Sequence, residues 1–74
     1  MSNVPSTLNI GSQGADVQRL QGDLTRLGYN PGAIDGNFAE KTEKAVMQFQ
    51  QDHNLKVDGI VGPKTGRELG ATLA

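Results

Sequence analysis

The feature that most constrains this chain is a short pattern that it carries twice. Asp35-Gly36-Asn37-Phe38-Ala39-Glu40-Lys41-Thr42 aligns with Asp58-Gly59-Ile60-Val61-Gly62-Pro63-Lys64-Thr65, with Asp, Gly, Lys and Thr at equal spacing. Upstream, Val17-x-x-Leu20-Gln21 aligns with Val46-x-x-Phe49-Gln50. Each copy is a hydrophobe–Gln pair on a helix, a connector, an apolar-Asp-Gly turn and the start of the next helix. Two units are too few for a solenoid, so they are expected to close on one another as a bundle. The chain has 74 residues, room for one domain.

The periodicity assigns the elements. Val17, Leu20, Leu24 and Leu27 fall at helical spacing on one apolar stripe, so Ala15 to Leu27 reads as a helix. Asp16 sits in its first turn, and Gly28 supplies the left-handed residue that commonly stops a helix. A second helix is expected from about Glu40 to His53, burying Thr42, Ala45, Val46 and Phe49, with Phe38 folded back onto it. Asn54 suits a left-handed cap, with Leu55 packing behind it. Pro63 suits the first position of a third helix, which carries Leu69 inward and is expected to end near Gly70. The expected division is a flexible leader at 1–7, the domain at 8–70 and a tail at 71–74. The fold class is all-α, a compact three-helix bundle with two pseudo-symmetric helix/Asp-Gly-turn repeats.

With 35% hydrophobic residues and ten glycines, large apolar side chains are scarce and turns matter. A chain this short buries only about 60% of its unfolded surface. Asp in an Asp-Gly turn accepts hydrogen bonds from backbone N–H groups just ahead of it, and Gly takes a positive φ. Gln21 and Gln50, each one residue past a core hydrophobe, are expected at the edge of the buried face, offering amides to the backbone of those turns. The connector between Gln21 and Asp35 is six residues longer than that between Gln50 and Asp58. It contains Tyr29, Pro31 and Gly32, and is expected to be the most exposed loop.

Several function classes are excluded. The net charge is −1, with Lys and Arg scattered, so there is no basic footprint for nucleic acid and no polybasic membrane anchor. No apolar run is long enough to insert into a membrane, and the first residues show no signal peptide. There is no cysteine, hence no disulfide, no thiol nucleophile and no thiolate metal ligand. His53 is the single histidine, so a multi-histidine zinc site is unavailable; it reads as a surface residue complementing a helix end. Ser6 and Ser12 lack the setting of a nucleophile elbow. Asp35 and Asp58 could be imagined as a glycosidase pair, but one repeated structural turn accounts for both. The expectation is a protein with no catalytic residue, no metal and no cofactor.

The run Gly11-Ser12-x-Gly14-x-Asp16-Val17-x-x-Leu20-Gln21-x-x-Leu24-x-x-Leu27-Gly28-Tyr29 resembles the first half of the peptidoglycan-binding domain of bacterial cell-wall hydrolases. Asp35-Gly36-x-Phe38-x-x-x-Thr42-x-x-Ala45-Val46-x-x-Phe49-Gln50 and Leu55-x-Val57-Asp58-Gly59-x-Val61-Gly62-Pro63-x-Thr65 resemble the second half. Ala39 departs from the pattern, since many members have a small turn-former such as Gly there. The resemblance implies a pseudo-twofold three-helix bundle. It also implies docking onto peptidoglycan, usually as an appendage to an amidase, transglycosylase, muramidase or carboxypeptidase. The implied setting is the bacterial cell wall, periplasmic or extracellular, with phage lysis or injection machinery as one route to it. A monomer is expected. The alternative is a protein-interaction or pro-segment module, since a similar helical module precedes the catalytic domain in matrix metalloprotease zymogens; the missing cysteine argues against it.

Peptidoglycan offers hydroxyls, N-acetyl groups, amides and carboxylates, from its glycan strand and its stem peptide. The expected contact residues are Tyr29, Asn30, Asp35, Gly36 and Asn37, with Gln48 or Gln51 nearby on the second helix. Tyr29 has two readings, a ring facing the ligand or a ring packed over the bundle edge. Lys41 and Lys64 recur in both repeats, and each reads either as a partner for a stem-peptide carboxylate or as a solvated helix residue. The structural set is Val17, Leu20, Gln21, Leu24, Phe38, Thr42, Val46, Phe49, Gln50, Asp58, Gly59 and Thr65. Affinity for one muropeptide is expected to be weak, with retention supplied by the repeated sites of the polymer.

Overall fold

A computed structural model describes residues 7–74, so the expected leader lies outside the described residues except for Thr7, as does Ser6. Three helices follow in order, α1 Ala15–Arg26, α2 Glu40–Asp52 and α3 Pro63–Leu73, with isolated bridges but no strand among the described residues. Helix α1 stops where the left-handed Gly28 (φ 95°) was expected to stop it, with Leu27 as the cap. Asn54 is the single described non-glycine residue with a positive φ, 57°, just past the end of α2. Ala39 has an extended backbone, which any L-residue adopts, so its departure from glycine leaves the start of α2 at Glu40. The ends of α1 and α2 fall one residue before Leu27 and His53, and the end of α3 moves furthest. It runs past Gly70 to Leu73, so most of the expected tail is helix.

One core serves all three helices. Val17, Leu20 and Leu24 of α1 meet Ala45, Val46 and Phe49 of α2, and Phe38, Val61 and Leu69 close the cluster. Leu8, Leu27, Tyr29 and Leu55 pack at its edge. Four polar side chains are buried with these: Gln21, Thr42, Gln50 and Thr65. Gln21 and Gln50 are each 1% exposed, so they lie inside the core and not at the edge of the buried face.

Their burial is explained by what they bind. Gln21 Oε1 accepts hydrogen bonds from the N–H groups of Asp35 (3.0 Å) and Gly36 (2.9 Å). Its Nε2 has three acceptors in reach for two protons: the Asn37 carbonyl (2.9 Å), Thr42 Oγ1 (3.1 Å) and Asp35 Oδ1 (3.3 Å). Gln50 repeats this with the N–H groups of Asp58 and Gly59, the Ile60 carbonyl, Thr65 Oγ1 and Asp58 Oδ1, all between 2.9 and 3.2 Å. Each Asp closes its own turn by accepting from the N–H two residues on, Asn37 for Asp35 and Ile60 for Asp58, at 2.9 Å. No buried side-chain nitrogen or oxygen among the described residues lacks a partner. Gly36 (φ 78°) is held against the backbone, where a Cβ would stand 3.2 Å from the Gly14 carbonyl oxygen.

The segment before α1 laces the two repeats together. Leu8 and Val61 exchange both backbone hydrogen bonds (3.1 and 2.8 Å). Gly11 N–H then donates to the Phe38 carbonyl, Phe38 N–H to Ser12, and Gly14 N–H to Gly36, each at 2.9 Å. One stretch, turning at Ile10-Gly11, thus crosses both Asp-Gly turns. Ile10, which points away from this seam, is 52% exposed.

Two predictions follow from the buried amides. Replacing Gln50 by Leu, similar in size, strands two N–H groups and a carbonyl in a dry environment. It should cost about 3 kcal/mol, measured by urea unfolding. The whole stability of a domain this size is on the order of 4–11 kcal/mol, so the loss is a large share of it.

The second concerns acid. The Asn37 N–H and then the Gln21 amide hold the Asp35 carboxyl below the usual carboxylate range. The Ile60 N–H, the Gln50 amide and the Lys56 charge do the same for Asp58. A folded-state value below the unfolded value of about 3.9 means stabilisation that is complete above about pH 4 and lost as pH falls through the folded values. Urea midpoints measured downward from pH 5 should therefore drop more steeply for the native protein than for Asp35→Asn/Asp58→Asn, whose amides do not titrate. Parallel curves would show that the two turns contribute nothing to acid sensitivity.

Candidate functional site

The first connector builds a hollow that the second does not reproduce in kind. Of the six extra residues, three lengthen α1, which ends five positions past Gln21 where α2 ends two past Gln50. In the rest, Asn30, Ala33 and Ile34 are exposed, as expected of this loop, while Pro31 and Gly32 turn inward. Pro31 is buried, and its carbonyl accepts from Thr42 Oγ1 at 2.9 Å. Gly32 passes so close to α2 that a Cβ there would sit 3.3 Å from both Cβ and Cδ of Lys41, so the lysine stem lies across the glycine. Between connector and helix is a hollow of 260 Å³, lined by Pro31, Gly32, Ala33, Asp35, Asn37, Glu40 and Lys41, with Gln21 and Thr42 beneath.

The expected contact residues are distributed unevenly around it. Asp35 and Asn37 stand on the rim, exposed. Gly36 is buried, its N–H held by Gln21, so it shapes the loop from within. Asn30 is exposed and caps its own turn, its Oδ1 accepting from Gly32 N–H at 3.1 Å. Tyr29 lies edge-on to Phe49, with ring centroids 5.8 Å apart, and its hydroxyl donates to Asp52 at 2.7 Å. Burial of the ring, then that hydrogen bond, pushes its hydroxyl up to about 12, so it remains a protonated donor. Of the two readings of Tyr29, the packed ring describes its geometry.

Gln48 and Gln51 do not share the first hollow. They line a second, of 310 Å³, with Lys44, Met47 and Val57. Met47 (36%) and Val57 (46%) are among the most exposed large hydrophobic residues described. The sequence carried a signal for this face that hydrophobic patterning passes over. Lys41, Lys44, Gln48 and Gln51 repeat the three-four-three spacing of the apolar stripe on α1, but with polar residues, all exposed.

The chemistry these groups offer is hydrogen bonding and charge pairing at a rim. A general acid needs a carboxyl with a raised value, and Asp35 and Asp58 are both shifted the other way. No cluster of three or more His, Cys, Asp or Glu that could hold a metal occurs among the described residues. His53 is engaged in the scaffold, its ring stacked on Phe49 (centroids 4.2 Å) and its Nδ1 2.9 Å from Glu68 Oε2 on α3.

Residues 13–69 match the model of the peptidoglycan binding domain family. Among characterised proteins, the chain is 45% identical over 56 residues to the N-acetylmuramoyl-L-alanine amidase CwlM of Mycobacterium tuberculosis, covering 76% of this chain and 14% of the amidase. Among solved structures, the SleB N-terminal domain superposes with a TM-score of 0.90 at 35% identity, covering 93% of this chain and 94% of that one. A Burkholderia AP3 phage endolysin superposes with a TM-score of 0.86 at 45% identity, covering 90% of this chain and 26% of the endolysin. The chain spans between 14% and 26% of the length of the first curated relatives it matches. With the repeat, the three helices and the family match in agreement, the chain belongs to the peptidoglycan-binding domain family of cell-wall hydrolases.

Proposed function

We propose that this domain holds an associated activity against bacterial peptidoglycan without cutting the polymer itself, and that the hollow beside the first Asp-Gly turn is its principal contact. The observation that carries this is how fully the repeated motif is engaged in structure. Both carboxylates, both glutamines and both threonines are tied into the two turns by hydrogen bonds inside or beside the core. What remains outward around the first turn is the Asn37 side chain, the second oxygen of Asp35, the Glu40 carboxylate, and Lys41 braced over Gly32. Such a rim suits amides and carboxylates of the stem peptide and hydroxyls of the glycan, with the exposed Ala33 offering apolar surface to a methyl.

Asn30 and Tyr29 stand behind this rim. We assign Tyr29 a bracing role through Asp52, and Asn30 the role of shaping the connector. The relatives support the setting. Their names describe an amidase, a carboxypeptidase and spore cortex-lytic enzymes, in each of which this domain is a small part of the length. A domain of this kind would act at the cell wall, outside the cytoplasmic membrane, beside a catalytic unit.

Purified protein incubated with sacculi at low salt should pellet with them, and Lys41→Ala/Asn37→Ala should pellet about tenfold less well while unfolding at the same urea concentration. Native protein left in the supernatant, or release of reducing ends or amines from the sacculi, would overturn the reading. Recovery of a protein partner without wall material would favour a protein-interaction module in its place.

A further inference from the structure

The second hollow is not used by the reading above, and it lies along the same helix as the first. Both are bordered by α2. The first connector presses on the helix at Lys41, where Gly32 lets the backbone approach. The second presses on it at Glu43, where a Cβ on Gly59 would come 2.9 Å from Glu43 Cγ. Helix α2 is thus a ridge between two loops, with a hollow against each. At about 100° per residue, Lys41, Lys44, Gln48 and Gln51 fall within an arc of about 80° on that ridge. At 1.5 Å rise per residue they extend about 15 Å along it.

The two ends of this stripe differ in chemistry. Lys41 stands over a polar rim. Gln48 and Gln51 flank the exposed apolar atoms of Met47 and Val57. Scattered exposed hydrophobes need no explanation, but two that share a hollow with two amides and an ammonium form an amphipathic surface. An N-acetylated sugar or an alanine methyl fits such a surface, with amide groups beside it to be hydrogen-bonded. Both occur repeatedly along peptidoglycan, and an unbranched small ligand would fill one hollow alone.

We infer that the exposed stripe of α2 from Lys41 to Gln51 is one continuous contact track, and that its ligand is an extended stretch of peptide-bearing glycan longer than a single repeating unit. The inference rests on the peptidoglycan-binding reading and adds to it where the polymer runs and how much of it is read. Carboxylates of successive stem peptides meet Lys41 and Lys44, while N-acetyl groups meet Met47 and Val57 between the two glutamine amides. Binding energy is then spread over two shallow hollows, so a short fragment gains little and a longer one gains from both.

The test uses soluble wall fragments of one, two and three disaccharide-peptide units, titrated into isotopically labelled protein. Two units should bind about tenfold more tightly than one, well beyond the factor of about two that counting sites alone provides. Shift perturbations should run from Lys41 to Gln51 and include Val57. Gln48→Ala/Gln51→Ala, both exposed and outside the core, should keep its unfolding midpoint and bind one and two units almost equally. Equal affinity of the native protein for one and two units overturns the track. So do perturbations confined to Asn37 and Lys41, or a double variant that retains the full gain with length. Those outcomes leave the first hollow in place, whereas failure of the native protein to pellet with sacculi removes the underlying reading as well.

Discussion

Two buried glutamine amides hold this domain together, and most of its other features are arranged around them. A primary amide offers an acceptor and two donors in a plane, which matches the needs of a tight turn that presents two N–H groups and one carbonyl to the same side. Gln21 and Gln50 each take that role, and the Asp of each turn completes it by accepting from the next free N–H. Buried polar networks are stabilising when every member is satisfied and harmful when one is not. Here every buried side-chain polar atom among the described residues is satisfied. The amides therefore perform a service that a small apolar core could not: they fix the loops, and so the angles between helices, in a chain with neither disulfide nor enough hydrophobic surface to depend on packing alone.

That arrangement bears directly on function. A carboxylate that accepts from its own turn and from a buried glutamine amide is held ionised and oriented, the opposite of what proton transfer to a leaving group requires. The motif most suggestive of a catalytic acid pair is instead the scaffold. The polar groups that the scaffold leaves outside are those of the first turn's rim and the outer stripe of α2. Because those groups sit on a rigid helix and on turns locked from beneath, they are held in place before a ligand arrives, which limits the ordering cost of binding. At the far end of α2, Tyr29 lies edge-on to Phe49 and bonds Asp52, while His53 stacks on Phe49 and reaches Glu68 of α3.

The two copies are alike in their turns and unlike in their connectors, and the difference gives the domain a direction. The extra residues of the first copy lengthen α1 and bury Pro31, and Lys41 is braced over Gly32 as a result. The second connector is too short to wrap α2 in that way, and leaves Val57 exposed beside Met47. A symmetric repeat thereby presents two chemically different hollows along a single helix.

Much of this was legible in the order of residues. Helical periodicity located α1 and α2 because the core is narrow and only one face of each helix can enter it. The repeat announced the paired turns, since Asp-Gly at fixed distance from Gln has few other uses. The family resemblance rested on the same positions, and pointed to the wall polymer that the family match supports. Other features depended on contacts between segments distant in sequence. No local rule says that a glutamine beside a hydrophobe is fully buried, because its burial depends on a turn fourteen residues away supplying partners for its amide. Nor does the segment from Leu8 to Gly14 reveal that it laces both turns, or the first connector that its proline is buried. The end of α3 moved for a related reason, as Gly70 weakens a helix only locally while the packing of Leu69 supports the turn around it. Sequence alone determined which residues are apolar, how they repeat and where the backbone turns. Tertiary structure decided which polar groups are taken up internally and which are left for a ligand, because satisfying a buried hydrogen-bonding group requires a partner that only the folded chain brings within reach.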